Sequence, residues 1–306
     1  MREIPCKNDD VLICKRCFGF TWMCRAFILM NASYRFEGME YGSRRVETVR
    51  MRKTEAPHFP WDEETLLCCE VNVVHQDTVE KIEHALEGWP LLDSLPRESH
   101  GFLYRALCVP VDDRYDIFSY ENAVIHKSVT AYYHEETHEY KLRMQVGFVE
   151  FCRIEYITNS LEIFGEKLSK ELMQLLEDMV TFNPKNISSL VIKKGICDWA
   201  FAKELPETLE GYQLFIKPQQ PVKINNGSYI IIDYVDFTHA SDVTIYYNMY
   251  RDEFFGEARI HSIPDVTYDF DSNELVELQE KLEKYLVPRM REARQAADAA
   301  AHEGEA

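Results

Sequence analysis

His134, Glu135, Glu136, Thr137 and His138 read H-E-x-x-H. On a helix that spacing sets two imidazoles on one face, where they hold zinc while the glutamate acts as base toward a metal-bound water. The flanking sequence assigns the pentapeptide to other work. The runs 129–133 and 139–149 are rich in β-branched and aromatic residues and read as strands. The segment then falls at a hairpin turn, where positions i and i+4 share no helical face. A solvated turn is expected here, and a zinc-dependent hydrolase only if 134–138 is helical.

Cys6, Cys14, Cys17 and Cys24 are a second candidate metal group, because four thiolates hold a structural zinc. Their spacing is C-x7-C-x2-C-x6-C, with one tight knuckle and no second C-x2-C. Ordinary packing, or a poorly ordered leader, is the expectation. Met30 or Met39 is a candidate translation start. Nine cysteines are odd in number and sparse for 306 residues, which argues against a disulfide scaffold and for a reduced, cytoplasmic protein. Cys68, Cys69, Cys108, Cys152 and Cys197 sit in apolar stretches and are expected as small core residues. Neither a G-x-x-x-x-G-K-[ST] loop nor a G-x-S-x-G elbow occurs. No catalytic, cofactor-binding or metal residue is therefore assigned, and no cofactor is expected.

The composition narrows the partners. Lys and Arg total 34 against 52 Asp and Glu, a net charge of −18. A nucleic-acid binder needs the opposite surplus to release phosphate counterions. With 46% hydrophobic and 12% aromatic residues, the chain has enough apolar surface to fold. No apolar run reaches the 18 residues of a membrane-spanning helix. Lys15, Arg16 and Arg25 interrupt the early apolar stretch 11–30, and Asp9 and Asp10 precede it, unlike a signal peptide.

The elements that would position any site recur along the chain. From Trp89 to Phe102 the sequence reads W-x5-L-P-x4-G-F, and from Trp199 to Tyr212 it reads W-x5-L-P-x4-G-Y, 110 residues later. The string V-T-A-Y-Y beginning at Val129 returns as V-T-I-Y-Y at Val243, an offset of 114. That register then aligns Glu139 with Glu253, Leu161 with Leu275, Leu168 with Leu282 and Leu172 with Leu286. The pattern predicts tandem duplication of one domain. Each copy reads as antiparallel strands closed by an amphipathic helix, an α+β unit. Leu161, Phe164, Leu168, Leu172 and Leu175 mark the first helix, with Asn159 and Glu162 as its capping pair. Leu275, Leu278, Leu282 and Leu286 mark the second, with Asp271 and Glu274 capping it and Pro288 stopping it. Residues 64–74 read as a further strand and 78–86 as a helix leading into the Trp89 motif.

The expected organisation is a Cys-containing leader over 1–38, copy one over 39–180, copy two over 181–290 and an Ala/Glu-rich frayed or disordered tail over 291–306. The paired tyrosines Tyr132-Tyr133 and Tyr246-Tyr247 lie on strands, so one of each pair is expected in the core and the other exposed or under a loop. Trp89 and Trp199 are expected to anchor the L-P loops on the sheets. An acidic duplicated unit without a shared catalytic constellation fits a non-enzymatic protein-interaction module, inhibitor-, immunity- or chaperone-like, with a basic protein partner. A small-ligand binder with a pocket between the copies is the other alternative to the hydrolase.

Overall fold

The computed structural model describes residues 10–14, 34–39, 48–53, 74–225, 227–261 and 263–304, with side chains from 74 to 299. Two units divide the chain, Met1–Val73 and Val74–Ala306. In the first, β1 (Asp10–Cys14), β2 (Tyr34–Met39) and β3 (Thr48–Lys53) form an antiparallel sheet in the order β1-β3-β2. Cys14 ends β1, while Cys6, Cys17, Cys24, Cys68 and Cys69 lie outside the described residues, as does most of the strand expected over 64–74.

The second unit holds two antiparallel sheets. Its first half begins with α1 (Gln76–Leu86) and α2 (Pro90–Ser94). A six-stranded meander follows: β4 (Glu98–Ser99), β5 (Phe102–Val111), β6 (Arg114–Asn122), β7 (Lys127–His134), β8 (Glu139–Val146) and β9 (Val149–Cys152). Then comes α3 (Leu161–Val180). The second half runs through α4 (Ser189–Lys194), β10 (Thr208–Leu209), β11 (Tyr212–Ile216), β12 (Val222–Lys223), β13 (Ser228–Asp236), β14 (Ser241–Asn248), β15 (Glu253–Ile260) and β16 (Ile263–Ser272). Its seven strands order as β10-β11-β13-β14-β15-β16, with β12 also paired to β13. The chain ends on α5 (Leu275–Gly304). A mixed α+β architecture is thus in place.

Side-chain alternation explains how each sheet meets its helix. Tyr140, Leu142, Met144 and Val146 are buried along β8, with Lys141, Arg143 and Gln145 between them on the other face. They share one apolar cluster with Phe164, Leu168, Leu172, Leu175 and Leu176 of α3. In the second half Val243, Ile245 and Tyr247 share a cluster with Leu278, Leu282, Leu286 and Met290 of α5. The first cluster also takes in Ile216, Ile224, Ile230 and Tyr246, so the opposite face of the second sheet is buried too.

The two halves agree in detail. Tyr115 pairs with Tyr133, and Tyr229 pairs with Tyr247. The register shifts between Asp116 and Phe118 in β6, and again between Ile230 and Ile232 in β13. Both bulges fall at one position of the 114-residue offset. Left-handed backbone recurs at His126 and Ala240, at His138 and Asp252, and at Gly147 and His261. The L-P loops are tied alike: Arg97 accepts from the Tyr104 amide at 2.9 Å, and Glu207 accepts from the Leu214 amide at 2.9 Å.

Several local expectations shift. Ser160, not Asn159, caps α3, its hydroxyl accepting from the Ile163 amide at 3.3 Å. Asp271 lies inside β16, a strand whose alternating aspartates and Pro264 hid it from hydrophobic patterning. The continuous strand expected over 139–149 is split, because Gly147 takes a left-handed turn between β8 and β9. Pro288 does not stop α5, and the residues expected as a tail continue it to Gly304. Proline removes one helical hydrogen bond, yet beyond it Met290, Ala293 and Ala297 are buried, and Tyr212 donates to the Met290 carbonyl at 3.3 Å. Arg291 meets Glu210, and Arg294 meets Asp236. Small alanines, read as a featureless tail, are what lets this segment lie close to the sheet. Of the cysteines expected in the core, Cys108 is exposed and Cys152 and Cys197 are half-buried.

Candidate functional site

The 134–138 segment forms the β7–β8 hairpin turn. His134 ends β7 opposite Glu139 of β8, and His138 sits in left-handed backbone at φ 53°. Each side chain that the H-E-x-x-H pattern would aim at one metal has a partner of its own. His134 Nε2 lies 3.2 Å from Asp113 Oδ2, and its Nδ1 accepts from the Thr137 amide at 3.3 Å. Glu135 accepts from the Thr78 hydroxyl at 3.0 Å and lies 3.1 Å from His75 Nδ1. His138 Nδ1 lies 3.3 Å from the Tyr133 hydroxyl. The turn therefore aims His134 and His138 at different neighbours.

A different trio converges. Asp113, from the β5–β6 turn, His134 and Glu136 each offer one ligand atom, all within 4.8 Å of one another. The two turns are joined by the Glu135 amide, which donates to the Asp113 carbonyl at 2.8 Å. Two aspartates between strands are a turn signal, so Asp113 was findable once β5 and β6 were read as a hairpin.

Beside this turn lies a cavity of about 480 Å³. Lys81, Ile82 and Ala85 line it from α1, Tyr133, His138 and Tyr140 from the hairpin, and Asn159 and Leu161 from the start of α3. Ile82 and the tyrosine rings provide apolar wall, and Lys81, His138, the Tyr133 hydroxyl and Asn159 provide polar points. Burial, with the nearby Glu135 charge, pushes the Tyr133 phenol up. Lys81 carried no signal in the sequence, because it belongs to no spacing pattern, and the spacing of Asn159 to Glu162 pointed to a helix cap and not to a cavity.

The paired tyrosines are buried on both faces. Tyr133 and Tyr247 point into their halves' helix-side clusters. Tyr132 and Tyr246 occupy the opposite faces and are buried as well. Trp89 stacks on Phe164 of α3 with centroids 6.5 Å apart, and Trp199 lies 5.3 Å from Phe201.

Tyr246 belongs to a buried polar network on the second sheet. Arg259 donates through Nη1 to Asp242 at 3.2 Å and Thr244 at 3.0 Å, and through Nη2 to Tyr246 and Glu257, both at 2.5 Å. Thr244 donates to Asp233 Oδ1 at 3.1 Å, while Asp233 Oδ2 has no partner among the described residues. Burial raises Asp242 to about 6 against the pull of Arg259. Burial raises Asp233 well above the ordinary carboxylate range, with the Asp242 charge adding to it. Gly147, from the first half, covers this carboxylate: a Cβ there would stand 3.5 Å from Asp233 Oδ2 and 3.2 Å from Phe215.

No helix among the described residues is long and apolar enough to cross a membrane. Comparison with family models, curated proteins and solved structures returns no match.

Proposed function

We propose that this protein is a non-enzymatic binding module made of two tandem copies of one α+β unit, and that the first copy takes a small anionic ligand in the cavity between α1, the β7–β8 hairpin and α3. One observation carries the reading. In a chain of net charge −18, this cavity is lined by Lys81, His138, Tyr133 and Asn159, with no carboxylate among its lining residues. Convergent donors on apolar walls suit a carboxylate or phosphate group borne on a small apolar body. The pocket lies within the first copy and not between the copies. The duplication is supported by the shared bulge positions and shared tyrosine registers. Free thiols at Cys108, Cys152 and Cys197 fit a reducing, cytoplasmic setting.

The test is thermal stabilisation of the full chain by a panel of small aromatic and aliphatic carboxylates and phosphates. A stabilising compound is expected, and Lys81→Met is expected to weaken it about tenfold or more. If no compound shifts the melting temperature, or if Lys81→Met binds as well as wild type, the reading fails.

A protein partner is the second reading, favoured by β5. Among the described residues, β4 pairs only with Phe102 and Leu103 of this ten-residue strand, and Leu103 and Val109 are 54% and 43% exposed. Such an edge accepts an added strand, and the acidic surface favours a basic one. Val109→Lys would abolish capture of that partner while leaving ligand binding intact.

A further inference from the structure

We propose that Asp113, His134 and Glu136 form a site for a divalent first-row transition metal that ties the β5–β6 turn to the β7–β8 turn. The site is separate from the cavity and does not rest on the ligand-binding reading. Two carboxylates and one imidazole suit Mn2+ or Zn2+, and leave positions for water. The three ligand atoms lie within 4.8 Å of one another without rearrangement of the backbone. The backbone holds them there. Arg114 pairs with His134 at the ends of β6 and β7, and the Glu135 amide bonds the Asp113 carbonyl.

The second half shows what this turn needs without a metal. At the 114-residue offset, Asp113, His134 and Glu136 become Gly227, Asn248 and Tyr250. Asn248 Oδ1 accepts from the Tyr250 and Arg251 amides at 3.0 and 3.1 Å, which closes the turn. His134 Nδ1 does the same for the Thr137 amide. One acceptor is enough to cap the turn. His134 adds a second nitrogen, and Nε2 is the one that faces Asp113. The alternative tautomer has a partner ready, because Thr137 Oγ1 lies 3.1 Å from Nδ1 and can accept its proton. Nε2 then presents its lone pair to the metal, with the Thr137 hydroxyl orienting the ring as outer-shell groups do. The exchange moves the ring proton from Nε2 to Nδ1, so the imidazole stays neutral, and Nδ1 gives up the Thr137 amide bond for one donated to the Thr137 hydroxyl.

Mn2+ is the probe, because thiolates bind it poorly and the chain's cysteines do not compete. It is titrated into the full chain with the histidine ring protons followed by NMR, the His134 signal being assigned by its loss in His134→Gln. The paramagnetic ion is expected to broaden His134 ahead of the other nine histidines, at a saturable midpoint. Glu136→Gln, an exposed change that leaves the fold alone, is expected to weaken the midpoint about tenfold or more. Asp113→Asn is expected to do the same with an unchanged melting temperature in the absence of metal. Broadening spread evenly over the histidines, or an unchanged midpoint in Glu136→Gln, overturns the site.

Discussion

Tyr120 donates its hydroxyl to the Pro96 carbonyl at 2.7 Å, and Tyr234 donates to the Pro206 carbonyl at 2.8 Å. Each proline ends the L-P pair of its own half, so one bond ties each loop to the second long strand behind it. Burial pushes both phenols up to about 12. We expect Tyr120→Phe and Tyr234→Phe to cost about 1 kcal/mol each. Matched falls in melting temperature of about 2–4 °C would follow. A large effect from one and none from the other would show that the two bonds do unequal work.

Gly165 is the point where α3 meets Trp89. A Cβ there would stand 2.8 Å from Trp89 Nε1, and 3.1 and 3.2 Å from its ring carbons. Alanine is the better helix former by about 1 kcal/mol, but the indole is flanked by Phe164 and cannot retreat freely. Gly165→Ala is expected to destabilise by about 1–3 kcal/mol, as overpacking does. Urea unfolding measures it, and a stabilised variant would refute the close contact.

Asp233 and Asp242 make stability depend on pH in an unusual direction. Both hold their protons more tightly in the folded chain than in the unfolded one. Their contribution is therefore complete below about pH 4, and is lost as pH rises through about 6 for Asp242 and higher still for Asp233. Arg259, Thr244, Tyr246 and Glu257 surround them, with a single guanidinium for three carboxylates. Asp233→Asn should raise stability at pH 8 and change it little at pH 4. Melting curves of both proteins across this range test it, and a variant less stable at pH 8 would show that Asp233 is needed as a charge.

The sequence carried the repeating parts of this architecture, because repetition and periodicity survive in one dimension. Leu161, Leu168 and Leu172 marked α3, and the strings around Tyr133 and Tyr247 marked paired strands. The same register placed 134–138 on a turn. What it lost were features set by a single contact. Pro288 reads as a stop until Met290 and Ala293 are seen buried beyond it. Asn159 looks like a cap until Ser160 takes that role and Asn159 is found at the cavity. Lys81 is an ordinary surface lysine until α1 is packed against the hairpin. Asp113 and His134 are 21 positions apart, and only the β6–β7 pairing brings them together.

Gly147 seated on Asp233 also bears on how the chain comes apart. Each half has its own sheet and its own long helix, and so resembles an independent folding unit. Yet the turn that carries Gly147 and Phe148 lies on Phe215 and Phe237, and His126 stacks on Phe237 with centroids 3.6 Å apart. Separating the halves would open an aromatic seam and the buried Asp233 carboxylate to water at once. Residues 74–304 should therefore lose structure in one calorimetric transition, and a substitution such as Gly147→Val should split it into two.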